Sequence, residues 1–243
     1  MRDIGSSARV LRVPASETYP WLLGTHYAKR IPSISYAFGL FDGSDPVGYV
    51  TYGTPSSAPL RSGVAGESNS NLVMELNRLV FAKPVRNGPS ILIGRSLKML
   101  PRPSIVVSFA DCGQGHIGYV YQACNFIYTG LSAKRTDWKV RGMDGLHGQS
   151  IADMSRHVSG VGKGARADWM REKFGDDFYS EDRPRKHRYI YINGSKSDIK
   201  RISKELLYPA IPYPKGESKR YDASLPEFVQ PLLFGDFDET SPP

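Results

Sequence analysis

Between residues 75 and 131 the spacing of apolar positions switches repeatedly between the period of a strand and that of a helix. Glu75-Leu76-Asn77-Arg78-Leu79-Val80-Phe81 sets polar residues, imperfectly, against Leu76, Leu79 and Phe81, as a partly buried strand does. The breaker cluster Lys83-Pro84-Val85-Arg86-Asn87-Gly88-Pro89-Ser90 stops it. Ser90 is then the expected N-cap of a helix over residues 91–100, closed by Pro101 and Pro103. Residues 105–110, Ile-Val-Val-Ser-Phe-Ala, predict a buried strand ended by Asp111. Gly113, Gly115 and Gly118 loosen the entry to a further segment reaching about Cys124, and residues 125–128 resume strand character.

The flanks extend this order. Leu11 and Val13 alternate with polar residues as a first strand, and an aromatic-apolar helix from Tyr19 carries His26 and Tyr27 before Pro32. Residues 35–41 and 47–53 predict a hairpin whose Gly-Ser-Asp-Pro makes the loop longer than two residues. Residues 54–72, rich in Ser, Gly, Pro and Asn, read as a surface loop. Beyond Leu131 come a strand at Trp138, helices over 150–157 and 165–174, a strong strand over 188–193 and a capped helix from Ser197 to about Leu207. The expectation is an α/β fold with a mixed central sheet flanked by helices over residues 1–208. Within it, 135–187 form a largely helical, basic insertion before the last strand, and 209–243 a Pro-rich arm and acidic tail.

Forty per cent hydrophobic and 23% charged residues place the chain among folded globular proteins. No apolar run approaches the ~20 residues of a membrane span, and the first seven residues hold no apolar signal core. Cys112 and Cys124 lack Cys-x-x-Cys spacing and read as buried thiols of a reducing cytoplasm. The net charge of +8 divides into +5 over residues 1–131, +8 over 132–220 and −5 over 221–243. A basic C-terminal half suits a polyanion, although a solvated mixed-charge face accounts for it equally well.

By residue type alone, the Arg86-Asn87-Gly88 loop is either an anion site at a helix N-terminus or a tight turn. The order of elements and the residues together carry a resemblance. Val85 to Leu92 is similar to a degenerate pyrophosphate loop of the GNAT acyltransferase superfamily, and Tyr121-Gln122-Ala123-Cys124-Asn125-Phe126 to its tyrosine followed by Gly-Phe, with Asn125 in the glycine's place. A narrower resemblance spans most of residues 20–195. His26-Tyr27, Glu75-Leu76-Asn77-Arg78-Leu79, Ser108-Phe109-Ala110-Asp111 and Gly115-His116-Ile117-Gly118-x-x-Tyr121-Gln122-Ala123-x-Asn125 together resemble the phage Mom proteins, GNAT-related enzymes that hypermodify adenine in phage DNA.

The resemblance implies Tyr121 as general acid, with an ordinary partly buried aromatic as its alternative. Asp111, at the carboxyl end of a central strand, either orients or deprotonates an amine or caps a helix. Arg78 either grips a phosphate or donor carboxylate or pairs with Glu75 or Asp111. Ser90 offers a backbone N–H to a donor, and the expected donor-binding set is Arg86, Asn87, Gly88, Ser90 and Asn125. His26 and Tyr27 are incomplete as a metal site by spacing, but the resemblance adds iron as an expectation. His116 is an unassigned alternative base or ligand.

The implied substrate is adenine in double-stranded DNA of a bacterial host's cytoplasm, extruded from the stack. Lys134, Arg135, Lys163, Arg185, Lys186 and Arg188 would grip phosphates, and Tyr49, Trp138 or Trp169 would fill the gap or belong to the core. The implied product is N6-carbamoylmethyl adenine, with an activated glycyl or acyl donor, either aminoacyl-tRNA or acyl-CoA; the oligomeric state is left open, with a homodimer as one option. The rival readings are an acetyl-CoA-dependent N-acetyltransferase and a non-catalytic DNA-binding protein.

Overall fold

The computed structural model describes residues 8–55, 57–146, 148–158 and 162–215, without the side chains of 162 and 163. Seven strands form the main sheet: β1 (Arg9–Arg12), β2 (Tyr36–Asp42), β3 (Asp45–Gly53), β4 (Val73–Phe81), β5 (Ser104–Asp111), β6 (Ile127–Leu131) and β9 (Lys186–Asn193). Their order is β1-β2-β3-β4-β5-β9-β6, with β4 and β5 the parallel pair and the remaining neighbours antiparallel. The last strand is therefore inserted beside β5 rather than added at the edge.

Alternation along the central strands decides which helices cover which face. Val106 and Tyr189 point to one side with Phe38, Tyr52, Leu76 and Phe126. There α3 (Gly88–Met99) contributes Leu92, Ile93 and Leu97, and α4 (Tyr119–Ala123) contributes Tyr121. Ile105, Val107, Ile190 and Ile192 point to the other side, beneath Val64 and Ala65 of α2 (Ala58–Ala65) and Ile202 of α7 (Lys196–Glu205). A smaller cluster seats Leu22 of α1 (Ala15–Gly24) on Tyr49 and Val80. Ser195 and Asp198 close the start of α7 with a reciprocal capping box.

The chain divides into two compact units, the second being Ser132–Arg185. That unit pairs β7 (Arg135–Val140) with β8 (Phe178–Arg183) and adds α5 (Gly148–Asp153) and α6 (Gly162–Phe174). Val140, Ile151 and Met170 form its core, with Trp138 and Trp169 packed against them.

Several local expectations are corrected. The helix after β4 starts at Gly88, and its cap is Asn87 in the left-handed region (φ 56°), not Ser90, whose Oγ donates to the Asn87 carbonyl. The β2–β3 loop is two residues, because Gly43 (φ 66°) and Ser44 turn tightly and the extra chain length is taken up by a bulge at Leu40/Phe41. Residues 58–65 are helical rather than loop, since Val64 and Ala65 have a core to enter. His26 and Tyr27 follow α1 instead of riding on it. Residues 206–215 are tied down by Leu207 N–H to Val64 O, Ile211 N–H to Tyr128 O and Tyr213 OH to Phe126 O at 2.7 Å, while 216–243 lie outside the described residues.

A bulge interrupts β4 just before Arg78. Thr51 opposes Arg78 while Tyr52 opposes Leu76, so Asn77 is the extra residue. Its amide accepts from Thr51 Oγ1 at 2.6 Å and donates to Ser33 O at 2.7 Å. Replacing Asn77 by Ala removes both bonds and should lower stability by about 1–3 kcal/mol, read from the denaturant midpoint at unchanged slope.

Candidate active site

β4 and β5 are paired only from Val73↔Ile105 to Leu76↔Ser108. Beyond that point β4 continues against β3 to Phe81, and β5 continues against β9 to Asp111. The two parallel strands thus part at their carboxyl ends, immediately past the Asn77 bulge. Ser108 sits at the fork, fully buried, donating its hydroxyl proton to Leu76 O at 3.0 Å.

The groups around the fork come from five segments. Glu75 and Arg78 lie on β4. Burial raises the Glu75 pKa, with Arg78 and Lys186 pulling it back. Burial lowers that of Arg78, and Tyr27 and Glu75 oppose the shift. Arg78 Nη1 donates to Asn77 O at 2.6 Å, while its buried Nε has no hydrogen-bond partner among the described residues. Asp111 makes two contacts, of which the first is the expected cap. Oδ1 accepts from Gly113 N–H at 2.9 Å as a cap, and Oδ2 pairs with Lys186 Nζ at 2.8 Å. Lys186, expected on a phosphate-gripping surface, starts β9 and sits here.

Tyr121 is buried, and burial pushes its phenol up to about 12, partly offset by a hydrogen bond with Ser108. It is therefore a neutral proton holder at the fork. The Gly115-to-Gln122 motif builds its seat. Gly118 has φ +85°, and a Cβ there would lie 2.4 Å from the Tyr189 ring. That ring packs 5.3 Å from Tyr121, its hydroxyl donates to Ile117 O, and Gln122 Nε2 donates to it at 3.0 Å.

His26 is buried, and its Nδ1 accepts the Ala28 N–H at 3.0 Å. That bond leaves the ring proton on Nε2. Burial above all, then Arg78, His116 and Lys186, hold its pKa at about 3, so the ring is neutral. Tyr27 stacks on it, with centroids 4.5 Å apart and planes at 27°. Neither nitrogen of His26 is then available as a metal ligand without breaking this arrangement. Among the described residues no three His, Cys, Asp or Glu side chains converge as a metal site. The expected iron pair does not fit.

The expected donor loop is divided in character. Arg86 and Asn87 are exposed, whereas Gly88 is buried against Phe81 and Val85. Asn125, exposed at φ 59°, follows α4, and the neighbouring Cys124 thiol donates to Ser90 O at 3.6 Å, joining the end of α4 to the start of α3. Of the expected phosphate contacts, Arg188 is turned inward. It donates to Thr129 Oγ1 and O, both at 2.9 Å, and lies 3.3 Å over the Tyr208 ring. Tyr49 is core, edge-on to Trp21. Lys134, Arg135, Lys163 and Arg185 belong to the smaller unit, where Lys134 and Arg135 are exposed and Arg185 Nε donates to Ser132 O at 2.6 Å. Sequence reasoning missed Lys186 and Glu75 as parts of one cluster, because nothing in their spacing says that β9 returns beside β5.

A profile of the Mom protein family matches residues 7–215. The methylcarbamoylase mom of Escherichia phage Mu is 34% identical over 138 residues, 52% of this chain and 56% of that protein. The chain thus spans just over half the length of that curated relative. A GNAT-family acetyltransferase structure from Bacillus cereus aligns over 77% of this chain and 99% of its own, at 12% identity and a TM-score of 0.39. A Bacillus subtilis acetyltransferase in complex with CoA aligns over 76% and 98%, at 10% identity and a TM-score of 0.37.

The His26 geometry has a measurable signature. Its folded pKa of about 3 lies below the unfolded value of 6.5, so its contribution to stability is complete above pH 6.5 and is lost as pH falls toward 3. The slope from this residue is about 1.4 kcal/mol per pH unit, opposed just above the unfolded carboxylate range by Glu75, whose raised pKa has the other sign. A His26→Gln variant should flatten the acid limb of the stability curve, and NMR should find the wild-type ring neutral from pH 8 down to about 4.

Proposed function

The chain belongs to the Mom protein family, and from that premise we propose that it modifies adenine in double-stranded DNA, converting it to N6-carbamoylmethyl adenine with an activated glycyl donor. The observation that carries this reading is the fork. A gap opens between β4 and β5, and Glu75, Arg78, Asp111, Tyr121 and Lys186 surround it. In this reading the protein serves a phage by shielding its DNA from restriction in the host cytoplasm.

The chemistry asks for these groups. Adenine N6 is conjugated into the ring and is a poor nucleophile, so it must lose a proton as it attacks. Glu75, whose pKa burial raises, is suited to take it. Tyr121 retains its proton at working pH and can deliver it to the leaving group of the donor. Arg78 and the Lys186–Asp111 pair supply fixed charge for the carbonyl oxygen or a phosphate. The base reaches such a site only when extruded from the helix.

Simple acyl transfer would leave a carbonyl on N6, whereas the product has a methylene there. A glycyl donor resolves this. N6 bonds to the glycyl carbonyl as the donor's leaving group departs with a proton. The free glycyl amine then attacks C6, and the bond from C6 to the original N6 breaks. That nitrogen becomes the terminal amide, so the second step is an isomerisation requiring no further reactant. The carrier of the glycyl group is either tRNA or coenzyme A.

Mass spectrometry of nucleosides from DNA of cells expressing the full chain tests the activity. Tyr121→Phe should lower modification by about 10²–10⁴-fold while duplex affinity stays within roughly threefold, since phosphate contacts carry most of it. Absence of modified adenine with the wild-type chain sinks the reading. Glycine labelled in nitrogen and carbon should deliver both, with its nitrogen bonded to C6; retention of the original N6 on C6 excludes the rearrangement.

A further inference from the structure

Tyr27 is a large aromatic side chain left 45% exposed beside a cleft of charged groups. Its inner face lies on the His26 ring, which is itself buried and held by the Ala28 N–H. The His116 ring meets it nearly perpendicularly, at 77° and 6.3 Å between centroids. The Tyr27 ring is thus backed by His26 and met by His116, and 45% of the residue remains exposed. Its phenol lies within the field of Lys186, Asp111 and Arg78, and Tyr121 in turn senses Tyr27 and Glu75, so ring and fork are neighbours.

We infer that the outer face of Tyr27 is the platform on which the extruded adenine stacks, with the His26 ring as its rigid backing. The inference rests on the reading of the chain as a DNA adenine-modifying enzyme. Every base offers a π-face, and stacking on an aromatic side chain offsets part of the free energy lost on leaving the helix. A neutral histidine is the right backing, because a charged imidazolium would carry a hydration shell into the cleft and could not accept the Ala28 N–H. The same geometry removes His26 from the ligands of a metal and gives the His-Tyr pair a different task. The ring of Tyr27 performs that task; the hydroxyl does not.

This distinction sets the experiment. Two short duplexes are compared by competition binding with the full chain, one fully paired and one carrying a single adenine opposite an abasic site. The wild type should prefer the unpaired adenine. Tyr27→Phe and Tyr27→Trp should keep that preference within about threefold, and Tyr27→Leu should lose about 5–150-fold of the affinity for unpaired adenine while binding the paired duplex as the wild type does. Because the side chain is half exposed, the Leu variant should fold, and thermal unfolding checks it. The Phe variant decides even where Leu does not fold. Loss of preference in Tyr27→Phe assigns the hydroxyl and overturns the platform. A Tyr27→Leu variant that binds and modifies adenine like the wild type overturns it too, leaving the enzyme reading intact. A wild type that modifies no adenine and ignores the unpaired base sinks both.

Discussion

A parallel pair of strands that separates inside a sheet leaves backbone donors and acceptors facing a gap, and the fold must satisfy those groups locally. Ser108 satisfies one of them by donating to Leu76 O at the last paired position. Asn77 acts from the other side. It is the extra residue of the β4 bulge against β3, and its amide is held between Thr51 and the Ser33 carbonyl. The last rung of the β4–β5 ladder, at Leu76, and the bulge residue of the β3–β4 ladder, Asn77, are thus consecutive.

The pKa shifts at the fork come mainly from burial. His26 is held far below its usual range and Tyr121 is pushed up to about 12. Asp111 is committed to Lys186 and to the Gly113 N–H. Glu75 is the carboxyl whose pKa burial raises, with Arg78 and Lys186 opposing the shift.

The central elements were legible in the sequence because their apolar runs are long and buried on both faces. Residues 105–110 and 188–193 contain no ambiguity of period, and they are β5 and β9 with one or two residues added. Tyr121, Asp111 and Arg78 were legible as candidates because each belongs to a motif. Their assembly was not, since Lys186 reaches Asp111 only through the return of β9 beside β5 after the whole Ser132–Arg185 unit. Arg188 was misread for a simpler reason. Arg188 lies further along β9 than Lys186, beside Thr129 of the neighbouring β6, and its guanidinium meets Thr129 and Tyr208. The helical stretch at 58–65 escaped notice because Ser, Gly and Pro mask a short apolar face that needs the sheet to reveal it.

Most residues of the resembling motifs hold geometry rather than touch a reacting atom. Gly118 is required by the Tyr189 ring and its own positive φ, Gln122 holds the Tyr189 hydroxyl, Asn77 holds the bulge, and Asn87 and Asn125 take left-handed turns beside the α3 start and the α4 end. Asparagine replaces glycine at Asn125 without strain beyond its own tolerance of that region. At Gly88 the situation differs, because the glycine is packed against Phe81 and Val85 and serves the core. Motif similarity at the loop therefore measures how the helix is seated. Of that loop, Arg86 and Asn87 remain exposed.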